Sequence, residues 1–489
     1  MAARTIAEEG RGRAWAAATP FLVAAVVYLV ALAVGAALLN DPDTYWHLVV
    51  GGWILNNGFP TGDPFSFTFA GEPWIAKEWL SQVLFVLAHR AGGWTAVVVL
   101  SAGAIALAFA LLTRLLLAEL APLPVLTLVA AAFLLAAPHL VARPHVLALP
   151  VAVAWVGGLV RAVDRGKPPP YALLPLMVLW ANLHGAFTLG ILLAGAAGLD
   201  AIVAAGPGER LRLAFRWLGF CALALAACTI TPYGPESMVV TYRVLSLGPA
   251  LSIISEWRPA DFGHFAGFEA VLLAALGLAL LYGVVVHPLR IVVVLGLLHL
   301  ALSAARNADF LGLLAPLFLA APLGRQFPAL RADAAPAAGA RSMATLAFGL
   351  LVVLVPATAV LAWVNGYQPS RRISPEAAVE AIRRAAPGAV LNDYDFGGYL
   401  IYSRIAPFID GRAELYGGTF TARHHRAVTL SDLDDFLLIL DAYKIGATLL
   451  TPRTPAVMLL DQLPGWTRLY GDDVAVVHVR VAPELRDAR

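Results

Sequence analysis

Cysteine and charged residues are both scarce in this chain of 489 residues. It contains 2 cysteines, and 13% of its residues are Asp, Glu, Lys or Arg. Cys221 and Cys228 are seven residues apart in one apolar run, which separates them by about 10 Å along a helix, too far for a disulfide. The low charge excludes an ordinary soluble domain. The net charge of +2 indicates no particular class of partner, and we predict no nucleic-acid ligand.

Apolar residues make up most of what is present. They account for 60% of the chain, and the mean hydropathy is +0.76. Runs long enough to cross a hydrocarbon core of about 30 Å predict a polytopic α-helical membrane protein with about eleven transmembrane helices. The predicted spans are 18–39, 94–117, 121–137, 145–161, 170–182, 185–204, 213–230, 265–286, 289–303, 307–323 and 343–364.

The distribution of Lys and Arg predicts the orientation of these spans. If the N-terminus lies inside, the connections on the inner side hold most of the Lys and Arg residues. Cytoplasmic connections of membrane proteins have this excess. We therefore predict a multi-pass protein of the bacterial inner membrane with a cytoplasmic N-terminus. Residues 1–364 form the predicted transmembrane domain, with a first outer loop at 40–93. Residues 365–489 form a small periplasmic α/β domain.

The segment Asp41-Pro42-Asp43-Thr44-Tyr45-Trp46-His47 directly follows the first apolar run. Ionisable groups are costly to bury at a membrane boundary, so they are candidates for function. In such a pair, one carboxylate suits a general base, and the other suits a divalent cation such as Mg²⁺ or Mn²⁺. The alternative is that Asp41 only caps the N-terminus of a helix lying in the interface.

Further polar residues fall on the same predicted outer face. Lys77, Arg143 and Arg306 could bind a phosphate group, because cations, and Arg above all, suit phosphate oxygens. The alternative is that they extend toward lipid headgroups, as many basic residues near a membrane do. The remaining candidates for substrate binding, all polar or aromatic, are His47, Glu78, His145, Asn182, His184, Tyr233 and Glu256. The histidine spacings are not typical of a zinc site.

After residue 365 the charge rises and short strands alternate with helices. The pattern predicts a helix from Pro375 to Ala385, with Ser374 as its N-cap. A second helix is predicted at 432–443. The predicted strands are 389–392, 448–450 and 474–479. Residues 407–412 are predicted to form a strand and a turn, with Asp410-Gly411 in the turn.

Several of these motifs together resemble the GT-C glycosyltransferase superfamily. The first outer loop opens with Asp-Pro-Asp-Thr-Tyr-Trp-His-Leu at 41–48 and continues through Ile-Leu-Asn-Asn-Gly-Phe-Pro at 54–60, which is similar to catalytic subunits of oligosaccharyltransferases. Asn-Asp-Tyr-Asp-Phe-Gly-Gly-Tyr at 392–399 and Phe-Ile-Asp-Gly-Arg-Ala-Glu-Leu-Tyr at 408–416 resemble the tails of bacterial members.

The resemblance implies an enzyme that moves a sugar from a polyprenyl-phosphate-linked donor to a glycan, lipid or protein acceptor. Asp41 or Asp43 would be its catalytic carboxylate, and nearby cations would hold the donor phosphate. The 138–145 loop lacks a second acidic pair, which favours metal-independent chemistry. Two alternatives stay open at this point, namely a lipid or solute transporter and a non-catalytic envelope-assembly protein.

Overall fold

The computed structural model describes residues 2–248, 251, 254, 257–332 and 340–481. The chain divides into two compact units that do not follow chain order. The first unit comprises Met1–Leu38, Thr95–Met238 and Ser255–Tyr367. The second comprises Leu39–Trp94, Val239–Ile254 and Gln368–Arg489. Residues 40–93 and the C-terminal segment, far apart in sequence, therefore belong to one unit.

Helices account for nearly all regular structure up to residue 365. They are α1 Ala2–Ala33, α2 Gly35–Leu38, α3 Asp43–Asn57, α4 Trp79–Leu116, α5 Pro122–Ala136, α6 Pro144–Asp164, α7 Leu174–Leu183, α8 Phe187–Ala204, α9 Arg210–Ala227, α10 Glu236–Leu245, α11 Gly267–Tyr282, α12 Pro288–Ser303, α13 Ala308–Gln326 and α14 Ala340–Asn365. Helix α4 is broken by non-helical backbone at Gly92 and Gly93, where the chain passes between the two units.

Within the first unit, α6 and α13 lie at the centre of the packing. Helix α13 packs against α5, α6 and α12, and α6 also packs against α7 and α8. Both helices carry mostly buried side chains, including Trp155 of α6 and Phe318 of α13. By contrast, none of residues 345–365 of α14 is buried, although the helix packs against α1. A lipid-facing helix has this pattern, because hydrocarbon rather than protein covers its side chains.

The structure bears out a helical membrane protein, but not the number of spans. Among the described residues, six helices are long and apolar enough to cross a membrane: Trp79–Leu116, Pro122–His139, Pro144–Asp164, Phe187–Ala204, Ala305–Gln326 and Thr345–Asn365. Four further apolar helices have 10–17 residues. The remaining predicted span, 213–230, falls on α9, whose first two turns carry three arginines. Eleven spans therefore stay a prediction.

The second unit joins α3 and the start of α4 to a C-terminal α/β domain. Its later elements are α15 Glu376–Ala385, β1 Ala389–Asn392, α16 Gly397–Tyr402, α17 Ala413–Val428, α18 Leu433–Ala442, β2 Ile445–Leu450, α19 Pro455–Leu460, β3 Trp466–Gly471 and β4 Val476–Arg480. The sheet has the order β1-β2-β4-β3. Strands β1 and β2 are parallel, whereas β4 runs antiparallel to both β2 and β3.

An apolar core joins this sheet to its helices. Val390 of β1, Leu449 of β2 and Val477 of β4 pack against Val379 and Ile382 of α15. The sequence of α15 places such residues three or four positions apart, so they form one face of the helix. Burial of that face, rather than the short helix itself, stabilises this part of the domain.

Two local predictions in the C-terminal domain are wrong. Ser374 does not cap α15, because its hydroxyl bonds the hydroxyl of Tyr45 at 2.5 Å and donates to the carbonyl of Ser370 at 2.9 Å. Residues 407–412 form no strand and contribute only an isolated bridge between Pro407 and Val390.

Candidate functional site

Three polar motifs of the sequence meet in the second unit. Helix α3, which begins at Asp43, packs against α16. A Cβ atom on Gly398 of α16 would lie 2.4 Å from the carbonyl oxygen of Pro42, and a Cβ on Gly411 would lie 1.8 Å from Oδ1 of Asp43. A side chain at position 398 would collide with the Pro42 backbone, and one at position 411 would displace the Asp43 carboxylate. The two glycines therefore allow the C-terminal domain to approach the Asp-Pro-Asp segment at van der Waals distance.

Asp41 and Asp43 differ in their local roles. Both are buried at 9% exposure. Oδ1 of Asp41 accepts the backbone N–H of Asp43 at 2.9 Å, which fixes the turn before α3. This bond supports a structural role for Asp41, because one oxygen is committed to the backbone. Asp43 lies in the first turn of α3, where the helix dipole favours a negative charge, and its carboxylate borders Gly411.

Tyr394 lies close to the Asp43 carboxylate. Burial and the negative charges of Asp43 and Asp410 raise the pKa of its hydroxyl well above the ordinary value. Tyr394 therefore stays protonated at neutral pH. A neutral phenol beside carboxylates is a hydrogen-bond donor, not a competing base.

The other candidates of the first outer loop are largely engaged in packing. His47 is 1% exposed, with Nδ1 3.2 Å from the amide nitrogen of Gln82. Lys77 forms an ion pair with Glu414 at 3.1 Å. Glu78 is half-buried, and its carbonyl accepts the N–H of Gln82 at 3.1 Å. Substrate binding by these three residues stays a prediction.

A fully buried ion network fixes the turn that meets Asp43. The guanidinium of Arg412 donates to Oδ1 of Asp63 at 2.6 Å and to both oxygens of Asp410 at 2.8 and 2.7 Å. The hydroxyl of Tyr416 donates to Asp410 at 2.6 Å. Arg412 also lies over the ring of Trp74, 4.8 Å from its centroid. Asp410 and Arg412 are 0% exposed and Asp63 is 3% exposed.

Charge pairing decides the ionisation of this network. Burial alone would lower the pKa of Arg412, but the carboxylates of Asp410 and Asp63 raise it well above the ordinary value. The guanidinium is therefore charged. Since Gly411 lies between Asp410 and Arg412, the network holds rigid the backbone against which the Asp43 carboxylate packs.

In the first unit, cationic and imidazole side chains gather where α6 and α13 begin. Arg143 directly precedes α6, and Arg306 precedes α13. His139, Arg143 and Arg306 are close enough to interact electrostatically with His145. Nε2 of His145 bonds the carbonyl of His139 at 3.0 Å, and His184 lies 6.2 Å away between ring centroids. We call these five residues the cation cluster.

The geometry of the cation cluster suits an anion. The guanidinium of Arg306 lies 5.0 Å above the ring of Trp257, a contact that orients it. Arg143 is the residue before the first turn of α6 and forms no side-chain cap there. Amide groups at helix N-termini and nearby arginines together attract phosphate oxygens.

Asp309 is a member of this region that the sequence analysis missed. It is 1% exposed, and its Oδ1 accepts its neighbour's N–H, that of Phe310, at 2.6 Å. It also interacts electrostatically with Arg306. The sequence contains a signal for Asp309, which stands three residues after Arg306 at the start of an apolar span. Asp41 has a similar position directly after an apolar span. His139 was likewise missed.

Two of the remaining candidates of the first unit, Asn182 and His184, bond backbone groups. The amide nitrogen of Asn182 donates to the carbonyls of Val178 at 2.7 Å and Ile230 at 2.9 Å, which ties α7 to the end of α9. Nδ1 of His184 accepts the N–H of Ala186 at 3.2 Å. Tyr233 lies in a turn, and Glu256 lies outside the described residues. Their roles as substrate contacts stay predictions.

Metal binding was a possibility for Asp41 and Asp43. Within the part of the chain that the structure describes, no group of three or more His, Cys, Asp and Glu side chains could hold a metal ion. Metal binding by Asp41 and Asp43 therefore stays a prediction.

Comparison with known proteins gives a match at the level of the fold. No protein-family model and no curated protein matches the sequence. The structure of ArnT from Cupriavidus metallidurans bound to undecaprenyl phosphate aligns with a TM-score of 0.50 at 14% identity, covering 96% of this chain and 99% of that one. The archaeal oligosaccharyltransferase AglB from Archaeoglobus fulgidus, in complex with an inhibitory peptide and a dolichol-phosphate, aligns with a TM-score of 0.48 at 11% identity. That alignment covers 87% of this chain and 69% of AglB. The chain has the fold of the GT-C membrane glycosyltransferases.

Proposed function

We propose that this protein transfers a sugar from a polyprenyl-phosphate-linked donor to an acceptor at the outer face of the bacterial inner membrane. The observation that carries this proposal is the cation cluster at the starts of α6 and α13, in a chain with the GT-C fold. The similar ArnT structure holds undecaprenyl phosphate, a lipid with the phosphate group that such a cluster suits. Two arginines and the N-terminus of α6 supply the positive charge that a leaving phosphate needs.

Asp43 is the proposed catalytic carboxylate. A general base must accept the proton of an attacking hydroxyl while the sugar is transferred. Asp41 suits this role less well, since its Oδ1 holds the N–H of Asp43. The ion network beside Gly411 keeps the backbone around Asp43 fixed, which favours a single orientation of its carboxylate. Arg143 and Arg306 bind the donor phosphate in this proposal.

Sugar transfer by the purified full-length protein in lipid nanodiscs tests the role of Asp43. The donors are a radiolabelled panel of polyprenyl-phosphate-linked sugars. We expect Asp43→Asn to lower turnover by about 10²–10⁴-fold, the usual contribution of a general base. Asp441→Asn is the matched control, because Asp441 is exposed and pairs only at the surface with Arg480. Wild-type turnover in Asp43→Asn would contradict the assignment.

Binding of undecaprenyl phosphate tests the cation cluster without knowledge of the sugar. We expect Arg306→Ala and Arg143→Ala each to weaken binding by about tenfold or more, since each removes a charged hydrogen-bond donor to phosphate. Arg165→Ala is the control, because Arg165 is exposed beyond the far end of α6. Unchanged affinity in both cluster variants would contradict a phosphate site.

A further inference from the structure

A second polar site lies at the opposite ends of α6 and α13 from the cation cluster. These helices have 21 and 19 residues, so their ends are separated by roughly 30 Å. A cavity of about 600 Å³ opens there, beside Asp164 at the end of α6 and Arg325 at the end of α13. Val163, Ala204 and Val285 form part of its apolar wall.

Three buried charges form the floor of this cavity. The guanidinium of Arg290 donates through Nη2 to Asp164 at 2.7 Å and through Nε to Asp200 at 2.8 Å. Its Nη1 donates to the carbonyl of Phe318 at 3.1 Å. The three charged side chains are only 6–11% exposed. Two carboxylates facing one guanidinium leave an excess of one negative charge at this depth.

Two basic side chains form the rim. Arg325 is 62% exposed, with Nη1 3.7 Å from Asp164. His287 is 43% exposed, with Nδ1 3.3 Å from Asp200. The cavity is therefore negative at its floor and positive at its rim. The charges of the two arginines and the two aspartates sum to zero.

This separation of charge with depth identifies the chemistry of a ligand. A net anion would meet the carboxylates at the floor, and a net cation would meet Arg325 at the rim. A zwitterion with its ammonium at the tip satisfies both, because the ammonium donates up to three hydrogen bonds and Arg binds phosphate oxygens. A quaternary ammonium cannot donate such bonds. Basic pockets between membrane helices are known sites for phosphorylated headgroups.

We propose that this cavity binds a phosphoethanolamine group. Its ammonium contacts Asp164 and Asp200, and its phosphate contacts Arg325 and His287. The group is present both in ethanolamine phospholipids and in the soluble phosphate ester, so the chemistry is shared by two sources. Binding here is separate from sugar transfer, since none of these residues belongs to the cation cluster or to the surroundings of Asp43.

Lipid binding to the purified full-length protein in detergent tests the proposal. Fluorescence anisotropy would compare phospholipids with one oleoyl chain, the same labelled second acyl chain, and an ethanolamine, choline or glycerol headgroup. We expect the ethanolamine lipid to bind about tenfold more tightly than the other two, the effect of one charged hydrogen bond. Soluble phosphoethanolamine is the competitor. Displacement would show that the group alone is sufficient, whereas an ethanolamine preference without displacement would assign the site to the lipid.

Variants at the rim and the floor complete the test. We expect Arg325→Ala to weaken binding of the ethanolamine lipid, because it removes a phosphate contact. We expect Asp200→Asn to reduce that binding to the level of the choline lipid, because it removes a carboxylate that the ammonium contacts. Asp200 also holds the buried Arg290, so the exposed Arg325→Ala is the decisive variant. The control Arg384→Ala, at an exposed position of α15 that does not line this cavity, should retain wild-type binding. Equal affinity for the three lipids, preference for the anionic glycerol lipid, or wild-type binding by Arg325→Ala would each overturn the proposal.

Discussion

Replacement of Arg412 by methionine tests how the second unit is held together. Methionine keeps most of the side-chain volume but removes the guanidinium and its three contacts of 2.6–2.8 Å to Asp63 and Asp410. Both carboxylates would then be buried without a counter-charge. Breaking a buried pair from one side costs about 3–5 kcal/mol. For a unit of this size, that loss lowers the unfolding midpoint by roughly 6–20 °C.

The assay is thermal unfolding of the purified protein in detergent, followed by tryptophan fluorescence. Arg423→Met is the matched control, because the side chains of Arg423 and its partner Asp435 are 32% and 18% exposed. Partly exposed pairs contribute about 0–1 kcal/mol, so the control should unfold within a few degrees of the wild type.

A second variant separates the charge effect from packing. Combining Arg412→Met with Asp63→Asn and Asp410→Asn removes all three charges, and we expect it to recover part of the lost stability. The reasoning is refuted if Arg412→Met unfolds like the control. It is also refuted if the triple variant is less stable than the single one, because the uncompensated carboxylates would not then be the cause.

Two further predictions concern the same unit. Burial lowers the pKa of His424, whose Nε2–H donates to the carbonyl of Asn392 at 2.9 Å, so the folded state keeps it neutral where the unfolded chain is protonated. The free energy of unfolding should therefore keep its full value above about pH 6.5. It should fall as the pH decreases toward the pKa of His424 in the folded state. His424→Gln should reduce this pH dependence of the unfolding midpoint, whereas the exposed neighbour variant His425→Gln should not; equal pH profiles would contradict the account. Gly411→Ala should destabilise by about 1–3 kcal/mol, because its Cβ would collide with the Asp43 carboxylate. Gly103→Ala, whose Cβ would meet nothing within 4 Å, is the control, and equal unfolding midpoints for the two variants would contradict the contact.

Local sequence pattern was sufficient for much of the C-terminal domain. Strand β1 was predicted with its observed bounds, and the predicted helix at 432–443 corresponds to α18. Both depend on side chains within a few residues of each other, where apolar periodicity and turn residues are informative. The same holds for the apolar helices of the first unit.

The mistaken strand at 407–412 shows where local pattern fails. Phe408 and Ile409 are apolar and buried, as a strand would require. Their backbone groups, however, bond the side-chain amide of Asn392, which donates to the carbonyl of Ile409 and accepts the N–H of Phe408, both at 2.8 Å. A side-chain amide thus replaces the sheet ladder. Sequence periodicity cannot distinguish these two ways of satisfying a buried backbone.

The site was only partly predictable for a related reason. Asp43, Arg143 and Arg306 could be singled out because a charge beside an apolar run is conspicuous in any sequence. The pairing of Arg412 with Asp63 could not, since nothing local relates residues so far apart. The segments around Asp63 and Arg412 each have the sequence of an ordinary turn, and Asp410-Gly411 was predicted to be one. Only the fold shows that the turn borders the proposed catalytic carboxylate.

The distance along the chain between Asp63 and Arg412 also has a consequence for biogenesis. The two residues are 349 positions apart. At 5–20 residues per second, the ribosome needs roughly 20–70 s to make the intervening segment. During that interval residues 40–93 have been made without the arginine that neutralises the buried Asp63. The ion network therefore forms only after the last part of the chain is translated, and a premature stop before Arg412 would leave Asp63 permanently without its counter-charge.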